Sequence, residues 1–149
     1  MVHYTYRFEK ILTIREQEKQ QTEIAYKESV RAFEEVATKL YEMLKKKEDL
    51  IAYQNERLTI GATIDRIHHF ATFIDSLEKT IAELQTKVIQ ARAKMQWHEQ
   101  KMLEKSLEVR KFEKMKEKDL QSFRVEQDRI ESLYLDELST LMYNKKEIR

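Results

Sequence analysis

From Ile64 onward the chain sets an apolar side chain at every third or fourth position with few gaps. Alternating steps of three and four from Ile67 give Phe70, Ile74, Leu77, Ile81, Leu84, Val88, Ala91, Met95, His98 and Met102. Two core positions in every seven residues define the seam of a coiled coil. The same count runs on through Lys105, Val109, Phe112, Lys116, Asp119 and Phe123 and recovers at Ile130 and Leu133, weaker but in register. Upstream, Tyr26, Ser29, Phe33, Val36, Leu40, Met43, Lys47, Leu50 and Gln54 form a second, less apolar seam, preceded by Tyr4, Phe8, Ile11 and Leu12.

Between the seams stands "RLTIGATIDR", where Gly61 can adopt the left-handed conformation that ends a helix and Thr63 or Asp65 can cap the next one. This predicts an all-α fold: two long helices in an antiparallel coiled-coil hairpin, the C-terminal helix longer. The expected boundaries are helix one from about residue 4 to 59, a turn at about 60–62 and helix two from about 63 to 143, in a single rod. At ~1.5 Å per residue the helices measure roughly 80 and 120 Å. With the reversal at Gly61, residue 8 should lie near residue 114. Helix two then projects alone from about Phe123, exposing Phe123, Ile130, Leu133, Tyr134, Leu138 and Leu141, a stripe that calls for a partner.

Composition narrows this further. One Gly, no Pro and 37% charged residues leave few places to reverse direction and do not describe an ordinary compact domain. Lys and Arg total 28 against 27 Asp and Glu, interspersed along the chain, so nothing points to nucleic-acid binding. The chain has no Cys, which removes disulfides and thiolate metal sites and fits a reducing compartment. No segment approaches the ~20 apolar residues that span a bilayer, and the start carries no continuous apolar stretch; the expectation is a soluble, intracellular protein without membrane insertion.

Catalytic chemistry finds no foothold. A single glycine cannot build a phosphate-cradling loop. His68 and His69 are adjacent and point about 100° apart, whereas ligands of one metal on a helix need i, i+3 or i, i+4 spacing. His98 sits on a core position and reads as a tolerated polar core residue. The run Lys45, Lys46, Lys47 reads as a solvated face. Hence no enzyme, metal or cofactor is expected. Tyr53 and Phe73 flank the seam near the hairpin tip; they either cover the core or, above Leu50 and Leu77, form half of a binding patch. Trp97 falls on an outward position.

The order and spacing of "YRFEKILTIREQEKQQTEIAYKES", "LIAYQNERL", "FIDSLEKTIAEL", "RKFEKMKEK" and "LYLDELSTL" resemble the flagellar export protein FliJ family over almost the whole chain. The resemblance implies a cytoplasmic stalk of the flagellar type III export apparatus, peripheral at the inner face of the cell membrane. Such a stalk is similar to the central shaft of rotary ATPases: it enters a hexameric export ATPase and stimulates it. The family also contacts the export gate membrane protein and export chaperones. Carried over to this chain, the gate-contact positions are Leu50, Tyr53, Phe73 and Leu77. Facing the ring, the hypothesis takes Arg7, Glu9, Lys10 and Arg15 with Arg110, Lys111, Lys114, Lys116 and Lys118, and the overhang residues Phe123, Ile130 and Leu133. Alternatives are the equivalent stalk of a non-flagellar type III secretion system, and a self-associating coiled-coil scaffold with no ATPase partner.

Overall fold

The computed structural model describes residues 2–147. Helix α1 runs Glu9–Ile60 and helix α2 runs Ile64–Glu147, with no strand among the described residues. The two helices pack antiparallel, the second being the longer, as the twin seams predict. Their contacts fall into two compact units: one holds Gln20–Leu103, and the other joins the residues up to Lys19 to those from Glu104 onward.

The first of these contains the reversal. Gly61 takes φ +110°, and its N–H donates to the Arg57 carbonyl at 3.0 Å, closing α1. Thr63, not Asp65, caps α2: its hydroxyl accepts from the Arg66 N–H at 3.3 Å. Away from the turn, every counted seam position of this unit is buried or half-buried, whereas Ile67, counted at the start of the second seam, is exposed beside the turn. Leu77 and Ile81 are buried, while Phe33, Val36, Leu40, Met43, Leu50, Phe70, Ile74, Leu84 and Val88 are half-buried. An interface two helices wide covers only the inward stripe, so few side chains are fully enclosed. The polar seam positions are accommodated individually. The buried Ser29 hydroxyl donates to the Tyr26 carbonyl at 2.6 Å, and the Lys47 ammonium lies 3.3 Å from the Glu78 carboxylate on the other helix.

The second unit is closed differently from expectation. Helix one does not begin near residue 4; residues 2–8 form a non-helical arm. Along "HYTYRF" every second side chain, Tyr4, Tyr6 and Phe8, turns inward while His3, Thr5 and Arg7 are exposed. Up to Tyr6 that is the alternation of an extended segment rather than the period of a helix, and the chain then turns at Arg7 and Phe8 into α1. The Tyr6 hydroxyl donates to the Phe112 carbonyl at 3.2 Å, and the Tyr4 hydroxyl donates to Asp119 at 2.8 Å. Tyr6, Leu12 and Val109 form the buried core, with Tyr4, Phe8 and Phe112 packed around them. Ile11, counted in the apolar start, faces solvent.

The arm also moves the point at which α2 loses its partner. Phe123, expected in the overhang, is half-buried and its ring packs on Tyr4 at 5.4 Å. Because the arm, not a helix, lies alongside, the seam shifts there: Leu120 is half-buried in place of Asp119. Beyond half-buried Gln127, residues 128–146 are all exposed.

Candidate functional site

Among the described residues no group of three or more His, Asp or Glu is placed to hold a metal ion, and no helix is long and apolar enough to cross a membrane. What the chain offers instead is surface, and it can be sorted by whether each charged or apolar side chain is already engaged.

In the unit closed by the arm, the basic candidates divide into two groups. Arg15 and Lys116 are engaged. The Arg15 guanidinium donates to both Glu18 oxygens at 3.0 and 3.1 Å and lies 3.7 Å from Glu108, and Lys116 sits 2.9 Å from Glu9. Lys105, a seam position, donates to Glu18 at 3.2 Å and lies 3.5 Å from the same Glu108 oxygen, which is covered and accepts no hydrogen bond. Two cations thus interleave with two anions across the helix pair. The Lys105 hydrogen bond, helped by Arg15 and opposed by desolvation, holds the Glu18 carboxyl below its ordinary range. Reciprocally, the Glu18 hydrogen bond holds the Lys105 ammonium above its own. This tetrad ties the two helices together and turns Arg15 toward Glu18 and Glu108, while Lys116 and Glu9 form a separate pair.

Arg110, Lys111, Lys114 and Lys118 are the second group. All four are exposed, and among the described residues none makes an ion pair. Arg110, Lys114 and Lys118 follow at i, i+4 and i+8 with Lys111 beside them, so they share an arc of about 100° on α2. Lys10 is likewise exposed on α1, and the Arg7 guanidinium lies over the Phe8 ring at 5.4 Å.

Further along, the overhang carries Ile130 and Leu133 in the open, together with Tyr134, Leu135, Leu138, Leu141 and Met142. Leu135 and Met142 were not picked out by the heptad count. They flank Leu138 on the side of the helix opposite Tyr134 and Leu141.

In the unit with the turn, Leu77 is buried, Leu50 half-buried, and Tyr53 and Phe73 are 52% and 46% exposed. The two aromatics flank the seam as expected, and each holds a cation. The Arg57 guanidinium donates to the Tyr53 hydroxyl at 2.9 Å and stacks over its ring at 5.3 Å, while the Lys46 ammonium lies 5.6 Å above the Phe73 ring. Tyr53 also lines an open cleft with Gln54, Arg57, Gly61, Ala62 and Arg66. Trp97 is exposed on its outward position, edge-on to His98 and beneath the Lys101 ammonium.

A family model described as Flagellar FliJ protein matches residues 4–147. The Flagellar FliJ protein of Bacillus subtilis (strain 168) is 38% identical over 136 residues, which cover 91% of this chain and 92% of that protein. Among solved structures, a chain described as a YscO homolog from Chlamydia trachomatis matches over 99% of both chains with a TM-score of 0.62. At 22% identity, that likeness is one of fold.

Proposed function

This chain belongs to the flagellar FliJ family, and on that premise we propose that it is the stalk of the flagellar type III protein export apparatus. In this reading it enters a hexameric export ATPase, stimulates it, and links it to the export gate and to export chaperones. It works at the inner face of the cell membrane without entering it. The observation that carries the reading is the exposed basic arc of Arg110, Lys111, Lys114 and Lys118, which no carboxylate of the chain neutralises among the described residues. Four cations left open in a chain whose charges otherwise nearly cancel suit an acidic lining on a partner. A pair of antiparallel helices supports such a role because it presents a different face in each direction to identical subunits.

The ring contact is assigned to this arc with Arg7 and Lys10, and to the exposed residues Ile130 and Leu133. Arg15 and Phe123 support it from within the fold. The gate contact is assigned to Tyr53 and Phe73 over Leu50 and Leu77.

Replacing Arg110, Lys111, Lys114 and Lys118 with Glu tests the assignment. Stimulation of the purified hexameric export ATPase should be lost while circular dichroism stays helical. Stimulation equal to that of the native chain would sink the placement. The equivalent stalk of a non-flagellar type III system is the second reading, favoured by the shared fold of the Chlamydia trachomatis chain; the 38% identity to a flagellar relative favours the first. Stimulation of a non-flagellar export ATPase in preference to the flagellar one would reverse that order.

A further inference from the structure

The exposed end of α2 is patterned in a way that goes beyond the stalk reading. On a wheel of about 100° per residue centred on Leu138, Tyr134, Leu135, Leu141 and Met142 all fall within about 60° of it. Glu131 closes one end of this stripe and Lys145 the other, each about 20° from its centre, and Asp128 and Lys146 follow on a common edge at about 80°. Among the described residues none of these four charges makes an ion pair. By contrast Glu126 and Arg129, on the opposite face, pair with each other at 2.6 Å.

We infer that this stripe pairs with a second copy of the chain, antiparallel, about a two-fold axis at Leu138. A two-fold perpendicular to the helices sets residues on the same edge, equally far from Leu138, against each other. Leu138 then meets Leu138 and Glu131 meets Lys145, each seven residues away, while nearly matched heights bring Leu135 to Met142, Tyr134 to Leu141 and Asp128 to the neighbourhood of Lys146. Every charge on the face gains an opposite partner and every apolar residue an apolar one. A parallel, in-register pair would stack Glu131 on Glu131 and Lys145 on Lys145, so charge selects the antiparallel arrangement. The apolar side chains and their flanks bury roughly 1,000 Å² in total, the lower end for a specific interface, so the dimer is weak and dissociates in the micromolar range. The inference does not rest on the stalk reading. If both hold, the second copy lies along the same stretch of α2 as Ile130 and Leu133, on a neighbouring face, and the two partners compete for this end of the helix.

The test uses the full chain without any ATPase. Sedimentation velocity should show a monomer–dimer equilibrium in the micromolar range, and Leu138→Asp should weaken it at least 100-fold with helicity unchanged. Because the native chain has no cysteine, mixing Glu131→Cys with Lys145→Cys chains under mild oxidation should give mainly the mixed disulfide dimer. A chain that stays monomeric to roughly millimolar concentration overturns the inference, as does a dimer indifferent to Leu138→Asp. Disulfides forming only between like positions would assign the pair to the parallel arrangement and overturn the antiparallel one. A monomer whose stripe gains hydrogen-exchange protection only on adding the hexameric ATPase would give the face to the ring alone.

Discussion

Replacing Gly61 with alanine isolates a single physical cost. Its φ of +110° is strained for an L side chain whatever room surrounds it, and a Cβ added there meets no atom within 4 Å. No clash contributes, so the effect is one of backbone conformation alone. Holding an L residue in a sparsely populated region costs about 1–3 kcal/mol. Against this, alanine narrows the unfolded ensemble, which favours the folded chain by about 0.4–1 kcal/mol. The tip also has an escape, because Ile60 and Ile64 are 78% and 85% exposed and unwinding them forfeits little buried apolar surface. The net expected destabilisation is about 1 kcal/mol, lowering Tm by roughly 2–4 °C in a chain of this size. D-Alanine installed by ligation takes positive φ without strain and keeps the entropic gain, so it should stabilise by about 0.4–1 kcal/mol. Thermal melts followed by circular dichroism at matched concentration should therefore shift in opposite directions for the two enantiomers. An L-alanine chain that melts with or above the native one, or a D-alanine chain that melts below it, refutes the claim that positive φ at Gly61 sets the turn.

Leu12 is 3% exposed, so Leu12→Ala should cost about 2–5 kcal/mol, whereas Ile14→Ala, at a position 50% exposed, should fall within about 0.5 kcal/mol; denaturant melts distinguish them. The Glu18 carboxyl is held below its ordinary 4.5, so its contribution is present above that pH and lost as pH falls through the lower folded value. Glu18→Gln should flatten the acid limb of the stability profile, and an unchanged limb would show that the tetrad does not couple to folding. The Tyr4 phenol is pushed up to about 12 by burial and by its bond to Asp119, so it favours the fold below its ordinary 10 and ceases to as pH rises through 12. Spectrophotometric titration should find one late-ionising tyrosine that Asp119→Asn moves earlier. Tyr53→Ala with Phe73→Ala should abolish binding to the cytoplasmic domain of the export gate at about 1 kcal/mol of stability each. A large fall in Tm with binding intact would mark them as core cover.

Much of the fold was legible because a two-helix seam is a periodic object. From Phe70 to Phe112 on α2, and from Tyr26 to Gln54 on α1, every counted position is buried or half-buried, including the polar Ser29, Lys47, His98 and Lys105. Gly61 was readable because only one residue in the chain adopts positive φ cheaply. The arm was misread for a physical reason. Tyr4 and Phe8 are four apart and suit a helix, but Tyr6 between them makes the spacing two, and the backbone follows the shorter period up to Tyr6 before it turns into α1. Phe123, placed in the overhang, and Asp119, counted in the seam, were misjudged as a result, since the neighbour of α2 there is the arm. The surface was legible in residue type but not in engagement. Arg15 and Arg110 look alike in sequence, and only the packing shows that Glu18 and Glu108 claim the first and leave the second open.

The arm also fixes when the molecule can be finished. Tyr6 reaches the Phe112 carbonyl across 106 positions of sequence and Tyr4 reaches Asp119 across 115. On a ribosome adding about 5–20 residues per second, those partners emerge roughly 5–20 seconds after the arm does. Residues flanking Gly61 meet almost at once, so closure starts at the turn. "HYTYRF" is made well before the residues that cover it, and until Phe112 and Asp119 emerge the nascent chain carries Tyr4, Tyr6 and Phe8 without their partners on α2.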